Sequence, residues 1–532
     1  MNLASKLLVL AALSSGVSVA QEQPFIWPAP KEFSSGSSML TVDGSNCKIF
    51  APTSPSVPKT LKAAFQRYCA LTFPHIANSD LSANAEISSL SVMWKDPDES
   101  HPQIDTDESY SLELSSTSAT LSATTIYGVM RGLETFSQLV VFDFETKTYV
   151  VHEAPWKIND APRFPHRGLM IDTARHFETL ASIKNMIDSL PYAKINVLHW
   201  HMVDTQSFPF ESKLFPKLWN GAYSEFEKFT QEDIAAVVEY ARMRGVRVIV
   251  EFDVPGHAGS WCKGYPEICP STTCLQPLNV ANNFTFQLYE GLLSECTGGK
   301  ASHKDIPSGL FPDNFIHLGG DEVNTACWTS TPAVKSWLDA HGMTPDQGYA
   351  YFVKKVADVA ISQGRRPIQW SEVFDHFKTE LPKDVIVHIW KSVTNVTEVV
   401  ADGYNVLLNV GYDAKSWYLD NLNVNWTAVY LNEPCEKVPD DLCPKILGGH
   451  GEMWGETVDT SDIAQTVYPR MAAIAERLWS PRSVVGNLTD ARPRIKYFRC
   501  LLNRRGIAAA PVSNPNARSA PIGPGSCFQQ RR

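Results

Sequence analysis

Long apolar runs are scarce in this chain. The run at Leu7–Leu13 is too short to span a bilayer, and no later run is long enough either. Basic runs are missing too, and the formal charge is −10 at pH 7, which argues against nucleic acid or an anionic membrane as a partner. No strong metal-ligand spacing occurs. Charged residues make up 20% and hydrophobic ones 44%, the balance of a soluble globular protein. The 532 residues suggest about two to four domains.

Lys6, the apolar Leu7–Leu13 and the small residues Ser18-Val-Ala20 predict a secretory signal over residues 1–20. The mature protein is then expected to be soluble in the secretory pathway, either exported or held in a lysosome or vacuole. Glycosylation sequons at Asn283, Asn395, Asn425 and Asn487 agree, although any single one can occur by chance. Eleven cysteines suit an oxidising compartment, and the odd count leaves at least one without an intrachain partner. The expected pairs are Cys47 with Cys69, Cys435 with Cys443 and Cys500 with Cys527.

Residues 21–160 carry mixed signals. Leu61–Leu71 is helical in pattern, Glu86–Met93 and Tyr110–Leu114 alternate like strands, and Ile126–Val141 reads as an amphipathic helix closing the unit. This predicts a small α+β domain. Asp160-Ala-Pro-Arg-Phe-Pro-His166 marks its end, since two prolines disfavour helix and strand interiors alike. Over 161–482, β-rich runs alternate with helical segments: Gly168–Asp172, Asn196–Val203, Val246–Asp253, Asn314–Leu318, Pro367–Trp370, Val385–Trp390, Val406–Val410 and Ile446–Gly449. Eight such runs predict an α/β catalytic domain, a (β/α)₈ TIM barrel. One connecting helix is legible in detail, with Thr230 as its cap, Asp233 three residues on, an apolar stripe of Ile234, Val237, Val238 and Ala241, and Gly245 as its stop. Residues 483–532 are polar and Pro-rich, a C-terminal extension expected to pack on the barrel.

The chain is organised around residues 314–328. Phe315, Ile316 and Leu318 form a strand-like run that Gly319 and Gly320 break, and Asp321 and Glu322 follow. Acids just past a barrel strand stand where such enzymes keep their chemistry, although Gly-Gly-Asp is also ordinary turn composition. Adjacent acids do not suit the usual glycosidase pair, which flanks the bond about 5–9.5 Å apart. Neighbours at a strand end point in different directions, so the two should do different jobs. That division fits substrate-assisted hydrolysis, in which the sugar's 2-acetamido group is the nucleophile.

His317-Leu-Gly-Gly-Asp-Glu322 resembles the signature of family 20 glycoside hydrolases, the β-N-acetylhexosaminidases, and the likeness runs from about Asp160 to about Ser480. The N-terminal unit resembles that family's N-terminal domain. The resemblance implies an exo-acting, retaining enzyme that removes terminal β-linked N-acetylglucosamine or N-acetylgalactosamine through an oxazolinium ion. No cofactor or metal is implied, and the protein is expected as a homodimer. Chitin fragments, glycoprotein glycans and glycolipids are the alternatives for its natural substrate.

Other strand ends carry matching residues. Arg175, which could equally be a salt-bridge partner of Asp172, resembles the arginine that binds the sugar's 3- and 4-hydroxyls; its rigid fork suits two oxygens. Asp204 resembles the support of His257, which in turn touches Glu322, the general acid, while Asp321 takes the acetamido N–H. Trp370, Trp390 and Trp454 are filler if read singly, yet three at strand ends can wall a pocket against apolar sugar faces; the resemblance matches all three. Tyr418 matches a tyrosine that orients the acetamido oxygen, and Asp420 and Glu456 match carboxylates on the outer hydroxyls. In mammalian relatives, one subunit type has Asn-Arg after Trp-Tyr-Leu and accepts anionic substrates. This chain has Asp420-Asn421, the pattern of the type that favours neutral ones.

Two other readings stay open. His199 and His201 share a strand face, and with His257 and Asp321 they would make a metal-dependent barrel hydrolase. The other is an inactive carbohydrate-binding relative, against which the intact Asp321-Glu322 pair argues.

Overall fold

The computed structural model describes residues 25–45, 47–78, 84–299, 309–409 and 416–512. The signal expected at 1–20 and the bond expected from Cys500 to Cys527 therefore lie outside the described residues. At the N-terminal end, a six-stranded sheet runs in the spatial order Glu32–Ser34, Trp156–Asp160, Tyr110–Leu114, Ala119–Thr125, Leu90–Asp96, Phe50–Pro52. A three-stranded sheet pairs Ser38–Val42 with Thr148–Ala154 and Thr148–Ala154 with Val140–Asp143. The strand read at Glu86–Met93 begins only at Leu90, and Ile87 makes a single bridge to Val42.

The helix read as closing the unit is amphipathic but does not close it. It spans Ile126–Leu139 with almost every residue buried, and the chain then returns through three more strands. Its apolar side covers the sheet, and its polar side faces the barrel. Arg131 Nη2 lies 2.6 Å from Glu108 Oε1 and donates to the Gly245 carbonyl at 2.8 Å; Glu134 pairs with Arg505 at 2.8 Å. Polar residues that the helical period assigns to solvent are instead paired inside an interface.

Eight parallel strands close the barrel: His166–Asp172, Val197–Val203, Arg247–Phe252, Phe315–His317, Arg366–Trp370, Ile386–Ile389, Asn405–Leu408 and Ile446–Met453. The eighth pairs back on the first, from His166 opposite Gly448 to Ile171 opposite Met453. Each matches one run read from the sequence, because strands covered on both faces read as continuous apolar segments. The helix Gln231–Arg242 has the expected capping box between Thr230 and Asp233, with its stripe buried.

Period two layers the interior. Val197, Ile249, Phe315, Ile368, Ile386 and Leu407 form an apolar floor. Two residues further along their strands stand His199, Glu251, His317 and His388, joined by His450 and Glu452, all fully buried. The candidate site residues lie above this polar layer. The N-terminal unit docks at the opposite end, where Glu108 takes Arg167 at 2.5 Å and Asn196 at 2.9 Å and Asp160 takes Lys194 at 2.8 Å.

The C-terminal segment is more ordered than its composition implies. Leu488–Arg504 is a helix with Pro493 inside it, and it buries Ile495, Phe498, Leu501 and Leu502 while Arg494 pairs with Glu476 at 2.5 Å. Of the disulfides, Cys47–Cys69 and Cys435–Cys443 are as expected; Cys262–Cys269 and Cys274–Cys327 are additional, and Cys296 is buried and free. Cys274–Cys327 ties the loop after the third strand to the segment carrying Asp321 and Glu322.

Candidate active site

The fourth strand is only Phe315–His317, and the chain beyond it folds back sharply. Gly319 and Gly320 have φ of +66° and +101°. A Cβ on Gly319 would stand 1.8 Å from Asp253 Oδ1, and the Gly320 N–H donates to that same oxygen at 2.8 Å. The glycines are thus required by left-handed backbone and by close approach. Tyr349 donates its hydroxyl hydrogen to the Gly320 carbonyl. Glu322 and His257 are themselves left-handed, with φ of +49° and +48°, a conformation non-glycine residues hold only when their surroundings impose it. The two acids part at this turn: the Asp321 side chain is 9% exposed and that of Glu322 58%.

His257 lies between them. Its Nε2 is 3.6 Å from both Glu322 Oε2 and Asp321 Oδ2, and its Nδ1 is 3.2 Å from Asp204 Oδ1. Burial alone would lower the imidazole, but Asp321, Asp253 and Asp204 together hold it raised and cationic. That imidazolium, through its hydrogen bond, holds the Glu322 carboxyl below the usual range. Asp204 is held low as well; burial opposes this, and bonds from His201 and His257 outweigh it. The other Asp204 oxygen takes His201 Nε2 at 2.9 Å and Arg175 Nη2 at 2.7 Å. Arg175 pairs with Asp172 at 2.9 Å, so the salt bridge read as an alternative exists alongside a place on the pocket wall. Asp253 is pushed well up by burial and then by Asp321. Asp321 Oδ1 is buried with no hydrogen-bond partner.

These groups open on a cavity of about 560 Å³. Trp370, Trp390 and Trp454 wall it, and two of them tie their polar edges away from it. The Trp370 indole N–H donates to Glu251 Oε1 at 2.8 Å, and that of Trp390 to Glu372 Oε2 at 2.6 Å. The Tyr418 hydroxyl donates to the Trp390 carbonyl at 3.1 Å. At the rim, Asp420 is pushed up to about 6 by burial and by Glu456. Arg470 holds the loop under Asp420 by donating to the carbonyls of Asn421 at 2.7 Å and Val424 at 3.1 Å.

Ten residues read from the sequence line this one cavity: Arg175, His257, Asp321, Glu322, Trp370, Trp390, Tyr418, Asp420, Trp454 and Glu456. Asp204 stands behind His257. Asp253 and Glu452 also line it and were missed, although period two from Glu251 on the third strand places Asp253, just past its end, on the inner face. The set considered for a metal does not come together. His199 and His201 sit deeper, both against Glu251, while His257 and Asp321 group with Asp253. The sequon residues lie away from the cavity; Asn395, Asn425 and Asn487 cap helices through their side-chain oxygens, and Asn283 is exposed at a helix start.

Comparison with known proteins adds the following. The family described as glycosyl hydrolase family 20, catalytic domain, matches residues 164–482, and that described as beta-acetyl hexosaminidase like matches residues 26–139. Beta-hexosaminidase 1 of Arabidopsis thaliana is 43% identical, covering 99% of each chain. Beta-hexosaminidase subunit beta of Mus musculus is 36% identical, covering 95% of this chain and 96% of its own. The crystal structure of the Flavobacterium johnsoniae chitobiase superposes with a TM-score of 0.77 at 28% identity, covering 91% of this chain and 73% of that one.

Proposed function

The chain belongs to glycosyl hydrolase family 20, the β-N-acetylhexosaminidases, and on that premise we propose the following division of labour for its exo-acting hydrolysis of terminal β-linked N-acetylhexosamines. Glu322 protonates the departing glycosidic oxygen. The acetamido oxygen attacks the anomeric carbon from within the substrate, closing an oxazolinium ring as the bond to the leaving group breaks. Asp321 accepts the acetamido N–H and stabilises the positive charge that develops; Tyr418 swings its hydroxyl from the Trp390 carbonyl to the acetamido oxygen. Glu322, now a carboxylate, takes a proton from water as the water opens the ring, and configuration is retained. Arg175, Asp420 and Glu456 bind the outer hydroxyls, and the three tryptophans pack on the sugar and the acetamido methyl.

One observation carries this reading: Asp321 turns a buried, unpartnered acceptor oxygen inward while its neighbour Glu322 faces the mouth. Adjacent acids so divided suit an internal nucleophile. His257 Nε2 lies 3.6 Å from Glu322 Oε2 and holds it ionised in the free site, as the base step needs, while the acid step uses the protonated form of Glu322. The test is hydrolysis of chitobiose and an aryl N-acetylglucosaminide, with and without EDTA, and inhibition by a thiazoline analogue of the bicyclic intermediate. Strong thiazoline inhibition and indifference to EDTA are expected. A thiazoline that binds no better than free N-acetylglucosamine overturns the neighbouring-group mechanism, and failure to turn over either substrate leaves a binding relative.

The same proposal has the chain enter the secretory pathway and carry glycans at Asn283, Asn395, Asn425 and Asn487. Four disulfides among the described residues support it; the capping Asn395 and Asn425 bond through Oδ1, leaving the Nδ2 that a glycan would occupy, whereas Asn487 also donates Nδ2 to Asp490 at 2.7 Å. Among the described residues, no helix is long and apolar enough to cross a membrane. The proposed homodimer is checked by sedimentation, and the glycans by mass before and after endoglycosidase.

A further inference from the structure

Beneath the cavity, one carboxylate touches both halves of the site. Glu251, on the third strand, is fully buried among histidines. Its Oε1 takes the Trp370 indole N–H at 2.8 Å. Its Oε2 is 2.7 Å from His201 Nδ1 and 2.8 Å from His199 Nε2. His201 in turn places Nε2 2.9 Å from Asp204 Oδ2, and the opposite Asp204 oxygen meets His257 at 3.2 Å. We infer that Glu251 is a positioning residue for the hydrolysis, one that aligns the acid/base through His201, Asp204 and His257 and independently fixes the Trp370 wall.

The argument is one of proton counting. Both His201 nitrogens face carboxylates, so the ring carries two protons and has no tautomer to choose. Without the Glu251 charge, a neutral ring would hold one proton, and its bond to Asp204 would compete with another partner. Asp204 also receives Arg175 and the Thr205 N–H, so four donors together set its orientation. A ring that releases Asp204 lets it turn from His257, and His257 is the group that sets the state of Glu322. The second arm is separate. Trp370 is 1% exposed and its only polar atom ends on Glu251, so the indole plane against the acetamido pocket is set from below. Buried charge is costly, and a packed apolar cluster would fill this level of the barrel at less expense. Its connection to two distinct parts of the site is a functional reason to retain it.

The inference rests on the family reading above, and the experiment separates the two. Wild type, Glu251→Gln, His257→Gln and the double variant are assayed on chitobiose and on an aryl glycoside whose leaving group needs no protonation. Glu251→Gln is expected to lower kcat/KM on chitobiose about tenfold and on the aryl substrate about threefold, and to cost about twofold or less when His257 is already Gln. Thiazoline affinity should fall about threefold in Glu251→Gln, and this loss should disappear in a Trp370→Phe background. Equal, additive losses on both substrates in every background would make Glu251 merely structural and overturn the inference. Should Glu251→Gln not fold, as judged by thermal unfolding, His201→Gln preserves the Trp370 bond and tests the relay arm by the same cycle. An inactive wild type sinks the proposed hydrolysis; an active wild type with Glu251→Gln undiminished sinks only the inference.

Discussion

A titrating carboxylate at the rim makes discrimination against anionic sugars depend on pH. Asp420 stands at about 6, lifted by burial and by Glu456. It is therefore about one-tenth ionised at pH ~5 and about nine-tenths at pH ~7. A 6-sulfate on the terminal sugar stays charged across that range. Two unit charges ~6 Å apart repel by about 0.7 kcal/mol in bulk water and about 2.8 kcal/mol at an effective dielectric of ~20. Asp420 is half-buried, so about 1.4 kcal/mol, or tenfold, is the fair middle. Arg470 also feels the sulfate, but it is pushed down only to about 10 by burial and stays charged throughout, so its pull does not vary. The assay is kcat/KM for an aryl N-acetylglucosaminide and its 6-sulfate from pH 5 to 7, in wild type and in Asp420→Asn. Their ratio should move about tenfold towards the neutral substrate as pH rises through about 6, and stay flat in the variant. Other titrations act on both substrates and cancel in the ratio. A wild-type ratio that is flat, or one that moves equally in Asp420→Asn, refutes the argument.

Three further outcomes are expected. Glu322→Gln should keep the fold and lose about 10²-fold or more on chitobiose but much less on an activated aryl substrate, and equal losses would remove Glu322 from the acid role. Gly319→Ala places a methyl 1.8 Å from Asp253 Oδ1 and 2.6 Å from its Cα at a φ of +66°, and thermal unfolding should show a loss of about 4 kcal/mol or more, with soluble expression falling. Glu108→Ala strands Arg131 and Arg167, each at most 1% exposed, and should cost about 3–5 kcal/mol. Burial raises the Glu108 carboxyl, yet Arg167 and Arg131 hold it below the usual range. Its contribution is thus complete above the unfolded value of about 4.3 and lost as pH falls through the lower folded value. The gap in unfolding temperature between wild type and Glu108→Gln should close only in that acid range.

The strand count, the capping box at Thr230 and the turn at Gly319-Gly320 were legible in the sequence, because each rests on near neighbours. Strands buried on both faces are apolar throughout, a capping box spans three residues, and paired glycines mark a backbone that bends. The site residues were legible for a related reason. Polar and aromatic groups just past an apolar strand have nowhere to go except the open end of a barrel, and the family resemblance then supplied their roles. The helix Ile126–Leu139 shows where this kind of reading ends. Its pattern is amphipathic, and only packing against the barrel at Gly245 and against the C-terminal helix turned Arg131, paired within its own unit to Glu108, and Glu134, paired to Arg505, from solvent-facing groups into buried ones. The same limit hid the role of Glu251. Its position on the inner face follows from period two, but its partners His201, His199 and Trp370 come from the second and fifth strands. Barrel closure brings those side chains within hydrogen-bond distance, and closure depends on the register of all eight strands at once. Local sequence determines which face a residue takes, whereas tertiary structure decides which charges it meets there.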